Sequence, residues 1–138
     1  MSKKILGVVA GMGVWVAVVL VAGAIMRPAW PAYARVAAAM TFTLPMLAAR
    51  LAISTLATLA TGFVAAIITQ SLVASVIPGV LLLIAFIPQH IMLWDKFPVW
   101  YHLTFLLSLV PLTYVAGIIW SRRQAPRPAH AFGEMTAV

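Results

Sequence analysis

Four long apolar runs restrict the folds that are open to this sequence. They cover residues 5–26, 51–73, 77–94 and 99–120, and none of them contains a lysine, arginine, aspartate or glutamate. A helix needs about 20 such residues to cross the roughly 30 Å hydrocarbon layer of a bilayer. With 64% hydrophobic and 8% charged residues, a soluble chain of this size could not cover its surface with polar atoms. The pattern predicts one all-α membrane domain over residues 1–121, with four transmembrane helices.

The first apolar run carries a close-packing motif and has one competing interpretation. Gly7-x-x-x-Gly11 has the small-residue spacing that lets two membrane helices approach closely. Ala22-Gly23-Ala24 resembles the small-x-small site at which a signal peptide is cleaved. The apolar run is long for a signal peptide, so we expect residues 5–26 to form the first span.

The segment between the first and second runs is harder to assign. Residues 36–49 are apolar, but about 14 residues are too few to span a bilayer. Pro45 interrupts the segment, although its apolar side chains recur at helical spacing. We therefore predict a surface or re-entrant helix here, joined to the second span through a kink at Pro45.

Small side chains form one face of the second span. They recur at spacings of three, four and four residues, at Thr55, Thr58, Gly62 and Ala66. Such a face lets helix backbones approach closely in a membrane, where packing drives association. We expect Thr58, Gly62 and Ala66 to face another helix at short range.

The hairpin between the third and fourth spans collects most of the polar chemistry. Pro98 disfavours helical geometry at the preceding residue, so the chain should turn near Lys96. His90 and His102 are each six residues from Lys96, which places them at equal depth on neighbouring helices. The sequence leaves open whether the two rings face each other.

Two interpretations of this hairpin stay open. In one, its aromatic rings anchor the turn in the headgroup layer and its polar groups are solvated. In the other, the hairpin forms a small polar site, because ionisable groups at a membrane are costly and are candidates for function. The residues that would build this site are Gln89, His90, Asp95, Tyr101 and His102.

Haem and metal binding are the specific forms of this second interpretation. His90 and His102 could be axial ligands of a haem between neighbouring helices. With Asp95, the same histidines could bind a divalent metal, since imidazole and carboxylate are suitable ligands. The sequence requires no cofactor, and its spacing is not diagnostic of either group.

Arg50 completes the predicted polar cluster. It enters the second span at the surface where the third span ends, and Asp95 lies at that same surface. Because Asp95 is the only acid before the C-terminal tail, we predict an ion pair between them.

Several classes of activity are excluded or disfavoured. There is no cysteine, so disulfides and thiolate chemistry are excluded. There are only two acidic residues, Asp95 and Glu134, so a catalytic carboxylate pair is excluded. Small multidrug transporters have a similar size, but their proton coupling needs a carboxylate in the first span, which is missing here. The positive charges are spread over the helix ends, which indicates contact with lipid headgroups and no nucleic-acid partner.

The block Trp-Asp-Lys-Phe-Pro-x-Trp-Tyr-His, Trp94 to His102, resembles one found in small, uncharacterised four-helix bacterial inner-membrane proteins. The resemblance covers only the last hairpin and implies the topology without an activity. The leading hypothesis from the sequence is a non-catalytic accessory or interaction protein, which self-associates or binds another membrane protein. The alternative is a ligand-, haem- or metal-binding membrane protein that uses the polar hairpin.

Charge at the helix ends predicts the orientation. Four spans place both termini on one side of the membrane. Five basic residues lie at that side, namely Lys3, Lys4, Arg122, Arg123 and Arg127, and four at the other, namely Arg27, Arg35, Arg50 and Lys96. The positive-inside rule then favours cytoplasmic termini in the inner membrane. Residues 122–138 are rich in proline and alanine without an apolar period, which predicts a disordered cytoplasmic tail.

Overall fold

The computed structural model of the chain describes residues 2–124, and these form an all-helical bundle. The elements are α1 (Lys3–Ala29), α2 (Pro31–Ala37), α3 (Leu44–Thr69), α4 (Leu72–Met92), a 3-10 turn (Trp94–Lys96) and α5 (Val99–Gln124). All except α2 and the turn are long and apolar enough to cross a membrane. The predicted all-α fold with four such helices is therefore confirmed.

The C-terminal tail was predicted to start at residue 122. Helix α5 continues through Arg122 and Arg123 and ends at Gln124. The rest of the predicted tail, residues 125–138, lies outside the described residues.

Side chains and backbone geometry at the helix ends explain where two of the helices begin and one ends. The Ser2 hydroxyl accepts a hydrogen bond from the Lys4 amide at 3.2 Å and caps α1. The Ser71 hydroxyl caps α4 in the same way, accepting from the Ala74 amide at 3.3 Å. Such caps satisfy amides that lack a partner within the helix. Gln70, with a left-handed φ of 52°, ends α3, so α3 and α4 are joined by a very short turn.

A short helix, α2, does lie between the first and second spans, but no single helix covers residues 36–49 as predicted for the surface or re-entrant segment. Helix α2 ends at Ala37, and α3 already begins at Leu44 with Pro45 in its first turn. Proline fits there because an amide in the first turn has no acceptor within the helix, so no kink is needed. Met40 adopts a left-handed φ of 57°, which breaks the helical path between α2 and α3.

Helix α3 lies at the centre of the bundle and packs against α1, α4 and α5. A Cβ added to Gly62 would lie 2.6 Å from the Thr113 Cα atom of α5, so the backbones are in direct contact there. On the other side of α3, a Cβ at Gly11 of α1 would lie 3.0 Å from the Thr61 carbonyl oxygen. Thr58 and Ala66 are fully buried. The predicted small-residue seam on α3 is therefore confirmed for Thr58, Gly62 and Ala66, while Thr55 is only half-buried.

The outer surface of the bundle is apolar. Large hydrophobic side chains on each long helix are more than half exposed, including Leu20, Leu56, Ile84 and Leu107. Inside the bundle, a small hydrophobic core packs around Trp15 of α1. Its indole N–H donates to the Thr58 hydroxyl at 3.3 Å, which satisfies two polar groups inside the bundle. Apolar residues therefore line both the interior and the outer surface of the four-helix bundle.

Candidate functional site

A cavity of about 650 Å³ opens between the helices at one end of the bundle. This end holds the connection from α1 through α2 to α3 and the hairpin between α4 and α5. Every helix contributes to the wall, which is mostly apolar and aromatic. The polar residues in the wall are Arg27, Tyr33, Arg50, Ser54, Gln89, His90 and Tyr101.

Arg50 is held in the wall of this cavity by two hydrogen bonds and a ring contact. Its Nη1 donates to the Tyr33 hydroxyl at 2.8 Å, and its Nε donates to the Tyr101 hydroxyl at 3.3 Å. The guanidinium carbon also lies 4.8 Å from the centre of the Phe42 ring, within the range of a cation–π contact. Side chains from α2, α5 and the segment before α3 therefore hold the Arg50 guanidinium in place.

The predicted ion pair between Arg50 and Asp95 is wrong. The guanidinium bonds to two phenol hydroxyls instead, and within residues 2–124 no carboxylate pairs with it. Asp95 lies in the 3-10 turn, where its side chain is exposed. An exposed carboxylate gains little from an ion pair, which is consistent with Asp95 staying apart from the half-buried arginine.

The two hairpin histidines face each other. Their Nδ1 atoms lie 2.8 Å apart, within hydrogen-bonding distance, and both rings are buried. The Trp94 ring stacks on His102 at 4.8 Å between centroids, and the Phe105 ring packs beside His90 at 4.7 Å. The equal depth expected from the spacing of these histidines thus becomes a direct contact between neighbouring helices.

The outer nitrogens of the histidine pair lie in different surroundings. His102 is fully buried, and its Nε2 atom has no hydrogen-bond partner among the described residues. His90 lies in the cavity wall, so it is the member of the pair that can meet a bound molecule. Because one ring must donate and the other accept, the tautomers of the two rings are linked.

The contact between the two Nδ1 atoms limits how His90 and His102 could act as the axial haem ligands considered as one alternative. An iron between two axial nitrogens would hold them about 4 Å apart, at metal–nitrogen distances of about 2 Å. The observed separation of the Nδ1 atoms is 2.8 Å, so no iron fits between these two atoms, and haem binding through the Nε2 atoms stays a prediction.

The three predicted metal ligands, His90, His102 and Asp95, do not come together. Among the described residues, no three side chains of the ligating types come together in a group that could hold a metal. Asp95, the third predicted ligand, is exposed in the turn while both histidines are buried. The described residues therefore do not assemble the predicted three-ligand set of His90, His102 and Asp95.

Most of the predicted polar cluster does come together. Arg50, Gln89, His90 and Tyr101 share the cavity wall, His102 lies behind His90, and Asp95 lies outside the wall. Sequence analysis missed Tyr33, which directly contacts Arg50. In the sequence, Tyr33 stands out only as an aromatic residue before α3. Nothing in this segment indicates that the chain brings Tyr33 back to Arg50.

Comparisons with known proteins add no name to this site. No family model matches the chain, and neither a curated protein nor a solved structure shows significant similarity to it.

Proposed function

We propose that the protein is a multi-pass membrane protein that binds one small amphipathic molecule in the cavity between its helices. The observation that carries this proposal is the cavity, whose volume of about 650 Å³ is typical of small-molecule sites. Such sites usually combine an apolar wall with a few polar groups that fix orientation, and this wall has that composition.

The membrane setting indicates how such a site would select its ligand. The apolar tail of a lipid-like molecule gains little by moving from hydrocarbon into an apolar cavity, because both surroundings exclude water. Selectivity must then come from cavity shape and from polar contacts. Arg50, Tyr33, Tyr101 and His90 are polar groups that can supply those contacts inside a mostly apolar wall.

We further propose an inner-membrane location with both termini in the cytoplasm. Support comes from the basic residues flanking the first and last long helices, at Lys3, Lys4, Arg122 and Arg123. The cavity would then open towards the periplasmic side. Reporters active only in the cytoplasm, fused to each terminus, should both be active; one inactive fusion would contradict this orientation.

The accessory or interaction function favoured by the sequence stays a prediction, and so does the expected lack of catalysis. The cavity favours the binding alternative because it offers a defined site for a small molecule. An interaction protein does not need such a cavity.

Gly23 and Gly13 of α1 provide a matched test. A Cβ added to either glycine would meet no atom within 4 Å, but only Gly23 lies in the cavity wall. Gly23→Leu should therefore fill part of the cavity, while Gly13→Leu makes the same chemical change outside it. Native mass spectrometry of the purified chain would count bound molecules of tetradecanoate, tetradecyl phosphate and methyl tetradecanoate.

We expect one saturable binding event per chain for at least one of these probes. Gly23→Leu should weaken it at least about tenfold, a loss of roughly 1.4 kcal/mol of binding free energy. Gly13→Leu should leave it unchanged. Unsaturable binding of all three probes, or equal affinities for the two variants, would refute the proposal.

A further inference from the structure

We infer that the ligand carries an anionic head, a carboxylate or a phosphate, and that Arg50 binds this head. The inference rests on the proposed function, because it concerns the polar end of the same cavity. It is carried by separate observations: the charge balance of the wall, the fixed position of Arg50, and the donor character of its polar neighbours.

The wall of the cavity carries uncompensated positive charge. Arg50, which is half-buried, and Arg27, which is exposed, both line it, and no acidic residue does. Asp95, the only acid in residues 2–124, is exposed in the 3-10 turn. A cation placed among apolar groups without a counter-ion is costly, and in membrane helices it marks a functional site. An anionic ligand supplies the missing charge.

Arg50 is arranged to receive such an anion. A guanidinium has five N–H donors, and the two hydroxyls of Tyr33 and Tyr101 occupy two of them. The remaining donors have no acceptor among the described residues. The Phe42 ring against the guanidinium carbon restricts its motion further. A planar guanidinium held in this way binds the two oxygens of a carboxylate or phosphate well.

The neighbouring hydroxyls add further donors. Each tyrosine oxygen accepts a hydrogen bond from Arg50, so the hydrogen of each hydroxyl is free to point to a ligand. The polar groups around Arg50 therefore present hydrogen atoms to the cavity, and the complementary ligand group is an acceptor.

The histidine pair is consistent with an acceptor at this place. If His102 donates its Nδ1 hydrogen to His90, the Nε2 atom of His90, a residue of the cavity wall, carries a hydrogen. The buried Nε2 atom of His102 is then an unprotonated acceptor. The opposite tautomers would leave a fully buried N–H of His102 without a partner. The arrangement that avoids this unpaired donor also gives His90 a donor for the ligand head.

Two properties of the head can be separated experimentally. Methyl tetradecanoate keeps the carbonyl acceptor and the alkyl tail of tetradecanoate but removes its charge, so the pair isolates the contribution of the anion. Tetradecyl phosphate tests whether the head may be a phosphate. Inorganic phosphate and acetate, added as competitors, test whether a free anion can take the place of an amphiphile.

We expect both anionic amphiphiles to bind the full-length chain at least about tenfold more tightly than the methyl ester, as one charge-assisted bidentate contact would give. Arg50→Gln should remove this preference while keeping ester binding. Arg35→Gln is the matched control, because Arg35 is an exposed arginine at the same end of the bundle that does not line the cavity. It should keep the full preference.

The outcomes separate this inference from the proposed function. Equal binding of ester and acids, or a preference that survives in a folded Arg50→Gln variant, would overturn the anionic head while the cavity still binds its ligand. Inorganic phosphate or acetate that competes as well as the amphiphiles would overturn the assignment of an amphiphile. Absence of saturable binding for every probe would instead overturn the proposed function. Far-UV circular dichroism of each variant establishes that it is folded.

Discussion

Replacing Gly62 with leucine tests the close backbone contact between α3 and α5. A Cβ at this position would lie 2.6 Å from both the Cα and the carbonyl oxygen of Thr113, and 3.0 Å from the Ala116 Cβ. Carbon atoms in favourable contact are about 3.5–4.0 Å apart, so α3 and α5 would have to separate by roughly 1 Å. The obstructing atoms belong mainly to the backbone and cannot move aside by changing a rotamer.

The magnitude follows from two opposing effects. Overpacking a well-packed interior costs about 1–3 kcal/mol, and a clash with backbone atoms places Gly62→Leu near the top of that range. Replacing glycine in a helix returns about 0.7 kcal/mol through higher helix propensity. We therefore expect a net loss of about 2 kcal/mol. Gly13→Leu gains the propensity without a clash, because a Cβ there meets nothing within 4 Å.

Unfolding of the purified chain in mixed micelles, titrated with a denaturing detergent and followed by far-UV circular dichroism, measures this difference. The two variants should differ by roughly 3 kcal/mol in the free energy of unfolding. If Gly62→Leu unfolds at the same midpoint as Gly13→Leu, the close approach of α3 and α5 at this site is refuted.

Two further predictions concern the polar cluster. His90→Phe should lower the free energy of unfolding by about 1–3 kcal/mol, because it leaves both ring nitrogens of His102 buried without a partner. Adding His102→Phe to this variant should cost less than a second loss of that size. Additive losses in a double-mutant cycle would contradict the contact. Tyr33→Phe should lower the free energy of unfolding by about 1.5–3 kcal/mol, because its hydrogen bond to Arg50 is lost. Asp95→Asn should change the free energy of unfolding by less than about 0.5 kcal/mol, because Asp95 is exposed. A larger loss for Asp95→Asn in the same unfolding assay would support the predicted ion pair with Arg50.

Two predictions from sequence were wrong, the kink at Pro45 and the ion pair of Arg50, because a local pattern does not show which distant residues meet. The kink at Pro45 was predicted from a proline inside an apolar segment, but a proline in the first turn of a helix has the same local pattern. The ion pair of Arg50 was predicted by choosing the only acid available at that surface. Tyrosine hydroxyls were not considered as its partners, because Tyr33 approaches Arg50 only after the chain has turned back at Met40.

The sequence by itself determined the four long apolar helices, the small-residue seam on α3 and the equal depth of His90 and His102. Length, composition and spacing encode these features, because bilayer thickness and helix periodicity act on neighbouring residues. Only the tertiary structure decided that the two imidazoles bond through Nδ1 atoms, that Tyr33 and Tyr101 hold Arg50, and that Asp95 stays outside. These contacts depend on how each helix is rotated about its axis and on where α2 returns to the bundle. Packing among distant segments sets those rotations, and no local pattern contains them.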